Sequence, residues 1–198
     1  MDNLSDKIPN LAMKTYSGNN YELKSMEGTI KLTSWSGYQS RQGTYASADG
    51  KEKSDGSATL QIGGDMVVDN PEITSEHVNA YNYLTQNQDK IKEVILASLL
   101  IQYKELQEQY GYDPEEAASL MPDVDNVSQF KTLIGLSTVH LLNVSKDDTA
   151  YVGYQFGCTW DDEHGLGIMT HKDRVIQIGG ADTSFLTWIA KGDLNQDN

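Results

Sequence analysis

The run Trp160-Asp161-Asp162-Glu163-His164-Gly165 sets three acids and an imidazole side by side, and it is where side chains able to do chemistry concentrate. A carboxylate beside an imidazole can pass a proton near neutral pH, so Asp161 or Glu163 with His164 has the makings of a general acid–base pair. The same groups, with His171 beyond them, are metal-ligand types. Their spacing fits no established pattern such as His-Glu-x-x-His, however, and no metal is assigned. A nucleophile is missing: Cys158 falls on the apolar face of the preceding segment, and there is no Gly-x-Ser-x-Gly. A tight turn accounts for much of the same pattern. Asp161 can accept bonds from amides just downstream, Gly165 can take a positive φ, and Trp160 can pack beneath the loop. The structural turn ranks first among these readings, a partner contact second, and catalysis or metal binding last.

A second candidate is aromatic. Trp35, Tyr38 and Tyr45 would form a platform of the kind that holds sugars if they shared one surface, although aromatics in strands more often fill cores. His77 reads as a surface or capping residue at a helix start, and His140 as a satisfied histidine within a strand.

The elements that must position these residues are legible from periodicity. Tyr21–Leu23, Thr29–Leu32, Gly43–Tyr45 and Ala58–Ile62 read as short strands, with Lys51–Gly56 as the clearest turn. After Pro71, Thr74 and Ser75 can cap a helix running to about Leu84. Asn87 then opens a longer helix from Gln88 to Tyr110, which Gly111 ends in a left-handed conformation. Its middle, Val94–Ile101, is apolar nearly all round and predicts burial on more than one side. Tyr112–Asp125 is a connecting loop with one helical turn, Val127–Leu133 a short helix, and Ser137–Val144 a strand.

From Ala150 to Trp160 the pattern has period two: Val152, Tyr154, Phe156, Cys158 and Trp160 share one face, and Tyr151, Gly153, Gln155, Gly157 and Thr159 the other. Leu166–His171 and Arg174–Ile178 follow as strands of an antiparallel meander. Asp182-Thr183-Ser184 can cap a last helix through Ile189. The tetrapeptide Gln-Ile-Gly-Gly recurs at 61–64 and 177–180, which shared turn chemistry explains better than duplication.

Composition narrows the classes. A chain of 198 residues suits a single domain, read here as 1–192 with a polar tail at 193–198. The single cysteine excludes an internal disulfide and fits a reducing, cytoplasmic setting. The N-terminal residues lack the pattern of a secretory signal, and no apolar run approaches the roughly 20 residues of a membrane span. A formal net charge of −14 repels phosphate backbones and anionic lipids, so neither nucleic acid nor membrane is an expected partner. The same field favours a basic protein partner, and equally serves solubility.

The segment from Ala150 through Trp160-Asp-Asp-Glu-His-Gly-Leu-Gly167 to the Ile178-Gly-Gly end resembles a bacterial family of uncharacterised domains marked by Trp-Asp-x-Glu-His-Gly-x-Gly. The resemblance implies an immunity-like or accessory protein of bacterial toxin systems and carries no catalytic role onto Asp161, Glu163 or His164.

The expectation is therefore an α+β domain, with antiparallel sheet segments packed on the long central helix and a C-terminal meander and short terminal helix. The expected function is a non-enzymatic protein-binding factor without a cofactor. A hydrolase or metal-dependent enzyme using the acidic turn, and a carbohydrate or small-ligand module using the aromatic trio, are the alternatives.

Overall fold

The computed structural model describes residues 7–18, 21–65 and 72–196. The first six residues, Pro71 and the last two residues of the expected tail lie outside them.

Seven strands form one sheet whose spatial order follows the chain: β1 (Ala12–Gly18), β2 (Tyr21–Lys31), β3 (Ser57–Gly63), β4 (Ile134–Lys146), β5 (Thr149–Cys158), β6 (Leu166–His171) and β7 (Arg174–Gly179). Every neighbouring pair is antiparallel except β3 with β4. A parallel pair needs a long crossover, and the helices supply it: α1 (Ser75–Gln86), α2 (Gln88–Tyr110) and α3 (Pro114–Leu120). The α+β architecture and the C-terminal meander agree with the pattern read from the residues.

The crossover begins at Thr74, whose amide donates to His77 Nδ1 at 3.1 Å, while His77 Nε2 meets the Leu142 carbonyl at 3.1 Å. His77 thus caps, but from the interior rather than the surface. α2 spans the expected residues and ends at Gly111 with φ 61°. Its burial is narrower than predicted. Ile91, Ile95, Leu96, Leu99 and Tyr103 face the sheet, whereas Ala97 is exposed and Ile101 is 83% exposed. The helix lies on one face of one sheet, so an apolar residue on its far side has nothing to pack against.

The main core lies between these helices and the sheet face built from Ile30, Leu60, Leu141, Tyr154, Phe156 and Ile168. The opposite face is covered over its C-terminal half by a 3-10 turn at Ala181–Ser184 and by α4 (Thr187–Gln196), where Ile189 and Ala190 meet Leu142, Tyr151 and Met169.

Several boundaries differ from expectation. β1 was not anticipated, because an edge strand with exposed side chains carries no apolar alternation. The two short strands around Tyr21 and Thr29 are one, and Gly43–Tyr45 is a 3-10 turn rather than a strand. The last helix starts at Thr187 because Asp65, not Asp182, receives its amide at 2.9 Å and its hydroxyl at 2.7 Å. It then continues into the expected tail, where Asp193 is buried and bonds Tyr151 and Arg174.

One-sided burial of α2 has a direct consequence. Leu99→Ala should lower unfolding free energy by about 2–5 kcal/mol, through lost burial and the cavity left behind. Ile101→Ala should stay within about 0.5 kcal/mol of wild type. Urea denaturation of the two variants checks the contrast.

Candidate functional site

The acidic turn is held by its own side chains. Asp161 Oδ1 accepts the His164 amide at 2.8 Å and lies 3.2 Å from its Nδ1, while Oδ2 accepts the Tyr110 hydroxyl at 2.9 Å. Burial works to raise the Asp161 pKa, but these bonds outweigh it and hold the carboxyl below its ordinary range. Gly165 closes the reversal with φ 63°, its amide N–H donating a hydrogen bond to the Asp161 carbonyl at 3.0 Å. Trp160 packs edge-on against Tyr103 beneath the turn. Asp162 reaches sideways to the buried Arg41, with Oδ1 at 2.8 Å from Nη1. Glu163 and His164 remain exposed beside an open groove of about 350 Å³ that Tyr110 and Tyr112 border. Among the described residues, no three His, Cys, Asp or Glu side chains are grouped to hold a metal ion.

Trp35, Tyr38 and Tyr45 do not share a surface. Trp35 and Tyr38 are buried in the helix-side core, Trp35 edge-on to Phe156 at 5.0 Å, because the segment after β2 turns inward instead of continuing as a strand. Tyr45 stands on the other side of the sheet, 84% exposed.

That other side holds a site that the reading of single segments missed. Glu27 pairs in register with Gln61, and Gln61 with His140, so one polar side chain from each of β2, β3 and β4 falls in a row. Gln155 of β5 extends it diagonally, its Oε1 3.2 Å from His140 Nε2. Gln61 Nε2 donates to Glu27 Oε1 at 3.0 Å, and Lys14 and the Tyr16 hydroxyl reach Glu27 Oε2 at 3.0 Å each. The row forms the floor of a cavity of about 660 Å³ with Tyr16, Tyr45, Asp65 and Phe185 around it.

The walls rest directly on the sheet. A side-chain carbon at Gly153 would fall onto the carbonyl of Ser184, and one at Gly157 onto the carbonyl of Ala46. The two covering segments therefore touch β5 backbone on either side of Gln155. The Arg41 stem lies over Gly135 and Gly157 and its Nε donates to Gln39 at 2.8 Å, so the Asp162 ion pair braces the segment that carries Tyr45.

Electrostatically the floor is quiet. Burial lowers the His140 pKa to about 4, against a smaller opposing effect from the Gln155 bond, so the imidazole is neutral at pH 7. Its Nε2 then donates to Gln155 Oε1. Glu27 is kept ionised: burial favours its neutral form, but bonds from Ser25, Lys14 and Tyr16 prevail. Cys158 lies on the opposite, core face, and burial pushes its thiol up to about 12.

Fold and site together define an α+β protein with a polar cleft on the partly uncovered face of its sheet. Residues 26–186 match the domain of unknown function DUF6985, and the chain belongs to that family. No curated protein and no solved structure matches it. Among the described residues no helix is long and apolar enough to cross a membrane.

Two measurements probe this arrangement. Asp161→Ala should cost about 1–2 kcal/mol by stranding its donors, and Glu163→Ala less than about 0.5 kcal/mol, in chemical denaturation at pH 7. His77, His140 and His171 all have folded pKa values lowered by burial from the ordinary 6.5. The native state therefore binds fewer protons than the unfolded chain. Their contribution is complete above pH 6.5 and is lost as pH falls towards 4. Denaturation midpoints should drop across that window, and less steeply in His140→Gln.

Proposed function

We propose that this protein is a non-enzymatic binding protein and that the cleft on the sheet face holds its ligand. The row Glu27–Gln61–His140–Gln155 carries this reading. These side chains bond one another, yet among the described residues the Gln61 oxygen and the Gln155 NH₂ have no partner, and a buried polar atom left unpaired costs about 1–3 kcal/mol unless water or a ligand meets it. Polar side chains from four strands converge on a cavity that Leu23, Ile62, Phe185 and two tyrosines line alongside Lys24, Ser25 and Asp65, and a few convergent polar groups among apolar and aromatic ones are the usual anatomy of a ligand site. Binding rather than turnover is favoured because a pKa near 4 makes His140 a weak base with its Nε2 engaged by Gln155, and the cysteine lies behind the sheet, away from the cleft.

A second reading, a basic protein partner, is supported by the net charge of −14 and by the groove between Tyr112 and the acidic turn. The Tyr112 pKa is raised by burial first and then by the carboxylates of Asp161 and Glu116, a sign of local negative potential. On this reading the protein is a cytoplasmic, immunity-like factor of a bacterial cell that neutralises a basic partner. Association would weaken steeply with salt and would be slowed by Asp162→Asn with Glu163→Gln.

The cleft is tested by a thermal-shift screen with uncharged polar small molecules on wild type, Gln61→Met and Gln155→Met. A ligand at 100 times its Kd should stabilise wild type by about 2.7 kcal/mol, and each variant substantially less. Equal stabilisation of all three proteins, or no stabilisation by any compound, overturns the assignment.

A further inference from the structure

Beyond that main cavity lies a second one of about 280 Å³. Both are lined by Tyr45, Gln61 and Gln155, so they are two lobes of one cleft with Tyr45 between them. The second lobe presents Gln42, Thr59, Ser137 and Thr138. Resting on the cleft being the ligand seat, we infer that its ligand is a neutral saccharide of at least two units, one in each lobe, lying across the Tyr45 ring.

Charge excludes the main competitors. Glu27 already has Lys14, Tyr16 and Gln61 on its carboxylate, so it does not need a cationic ligand. Arg41 is committed to Asp162 and Gln39, Lys24 lies 3.5 Å from Glu22, and Asp65 holds the start of α4. Among the described residues, a phosphate, a carboxylate or an ammonium group would have to displace one of these pairs to find a counter-charge.

What the floor does offer is matched to hydroxyls. Gln61 has its amide nitrogen on Glu27, leaving its carbonyl oxygen as an acceptor; Gln155 has its oxygen on His140, leaving its NH₂ as a donor. A hydroxyl both donates and accepts, so adjacent hydroxyls on one ring can satisfy an acceptor and a donor set side by side. Thr59 and Thr138 extend the same chemistry into the second lobe, and Ser137, whose hydroxyl donates to the Gln155 carbonyl at 3.0 Å, can still accept there.

Tyr45 supplies the apolar contact. It and Ala46 have φ of 56° and 60°, consecutive non-glycine residues in the sparsely populated left-handed region, which strains the backbone. The turn is closed by the Ala46 amide on the Gly43 carbonyl at 3.0 Å and pinned against Gly157. Folding gains nothing from a strained backbone that holds a tyrosine ring in water. A sugar ring, polar at its rim and apolar on its C–H face, would cover that ring while its hydroxyls reach the floor.

Isothermal titration of the full chain with matched neutral mono-, di- and trisaccharides, alongside uncharged nucleosides and zwitterionic amino acids, tests this. Affinity should rise at least tenfold from mono- to disaccharide. Tyr45→Ala should weaken disaccharide binding at least tenfold without lowering Tm, Tyr45→Gly should do the same with the backbone strain relieved, and Tyr45→Phe should retain binding. Saccharide binding that is indifferent to length or to Tyr45 overturns the spanning pose. Nucleoside or amino-acid binding that needs Gln61 and Gln155, without saccharide binding, overturns the ligand class and leaves the cleft standing. No ligand sensitive to Gln61 or Gln155 overturns both.

Discussion

Direct contact between loop backbone and sheet backbone at Gly153 and Gly157 is the constraint from which the rest of the covered face follows. The Ser184 and Ala46 carbonyls occupy the positions where side chains would stand. With any larger residue the Ala181–Ser184 turn and the segment carrying Tyr45 would ride a side-chain thickness higher, and the space above Gln155 would lose its walls. Gln155 is the residue between these two glycines on the same face of β5. Its polar head is therefore at the bottom of a slot whose sides are main chain, which makes the slot rigid in a way that side-chain walls are not.

The acidic turn takes its meaning from that arrangement. Asp161 secures the reversal through the His164 amide and the Tyr110 hydroxyl, and the reversal brings Asp162 to Arg41. Arg41 has little exposed side chain, whereas Asp162 is mostly in water. Such a pair adds little to global stability but fixes the direction of a guanidinium whose stem lies across two glycines. The residues that most resembled catalytic machinery are thus bound into the support of the Tyr45 segment. Glu163 and His164 remain exposed.

Elements fixed by local chemistry were readable from the chain. The period-two run of β5, the α2 boundaries at Asn87 and Gly111, and the β6 limits all follow from side-chain alternation or capping within a few residues. β1 escaped because an exposed edge strand has no buried face to write a pattern. Burial of α2 was overestimated because Ile101 is apolar yet faces water, which hydropathy alone does not distinguish from core. The polar row escaped for a different reason. Glu27, Gln61, His140 and Gln155 are far apart in sequence and meet only through strand register, so no spacing rule joins them. The available hint was Gln155 between two glycines on one face, a polar residue with its neighbours cleared away.

Uneven covering of the sheet explains why the cleft lies where it does. The helices close one face with apolar contacts, but the turn and α4 that follow β7 return over the C-terminal strands, and Tyr16, Thr29 and Lys31 on the N-terminal side stay exposed. At the margin of that cover, water can enter but a large apolar side chain would be half wet. Polar groups paired along the floor, with Glu27 bonded to Gln61 and His140 to Gln155, suit this border better than either a dry core or a bare surface. Each pair leaves one amide atom, the Gln61 oxygen and the Gln155 NH₂, without a partner among the described residues. In the proposed binding mode, a ligand replacing water there would exchange hydrogen bonds nearly evenly and gain by covering Tyr45. If the cleft is a ligand seat, as proposed, affinity would rest on the preformed walls more than on the polar contacts, and the glycines of β5 would matter to binding as much as the residues that touch the ligand.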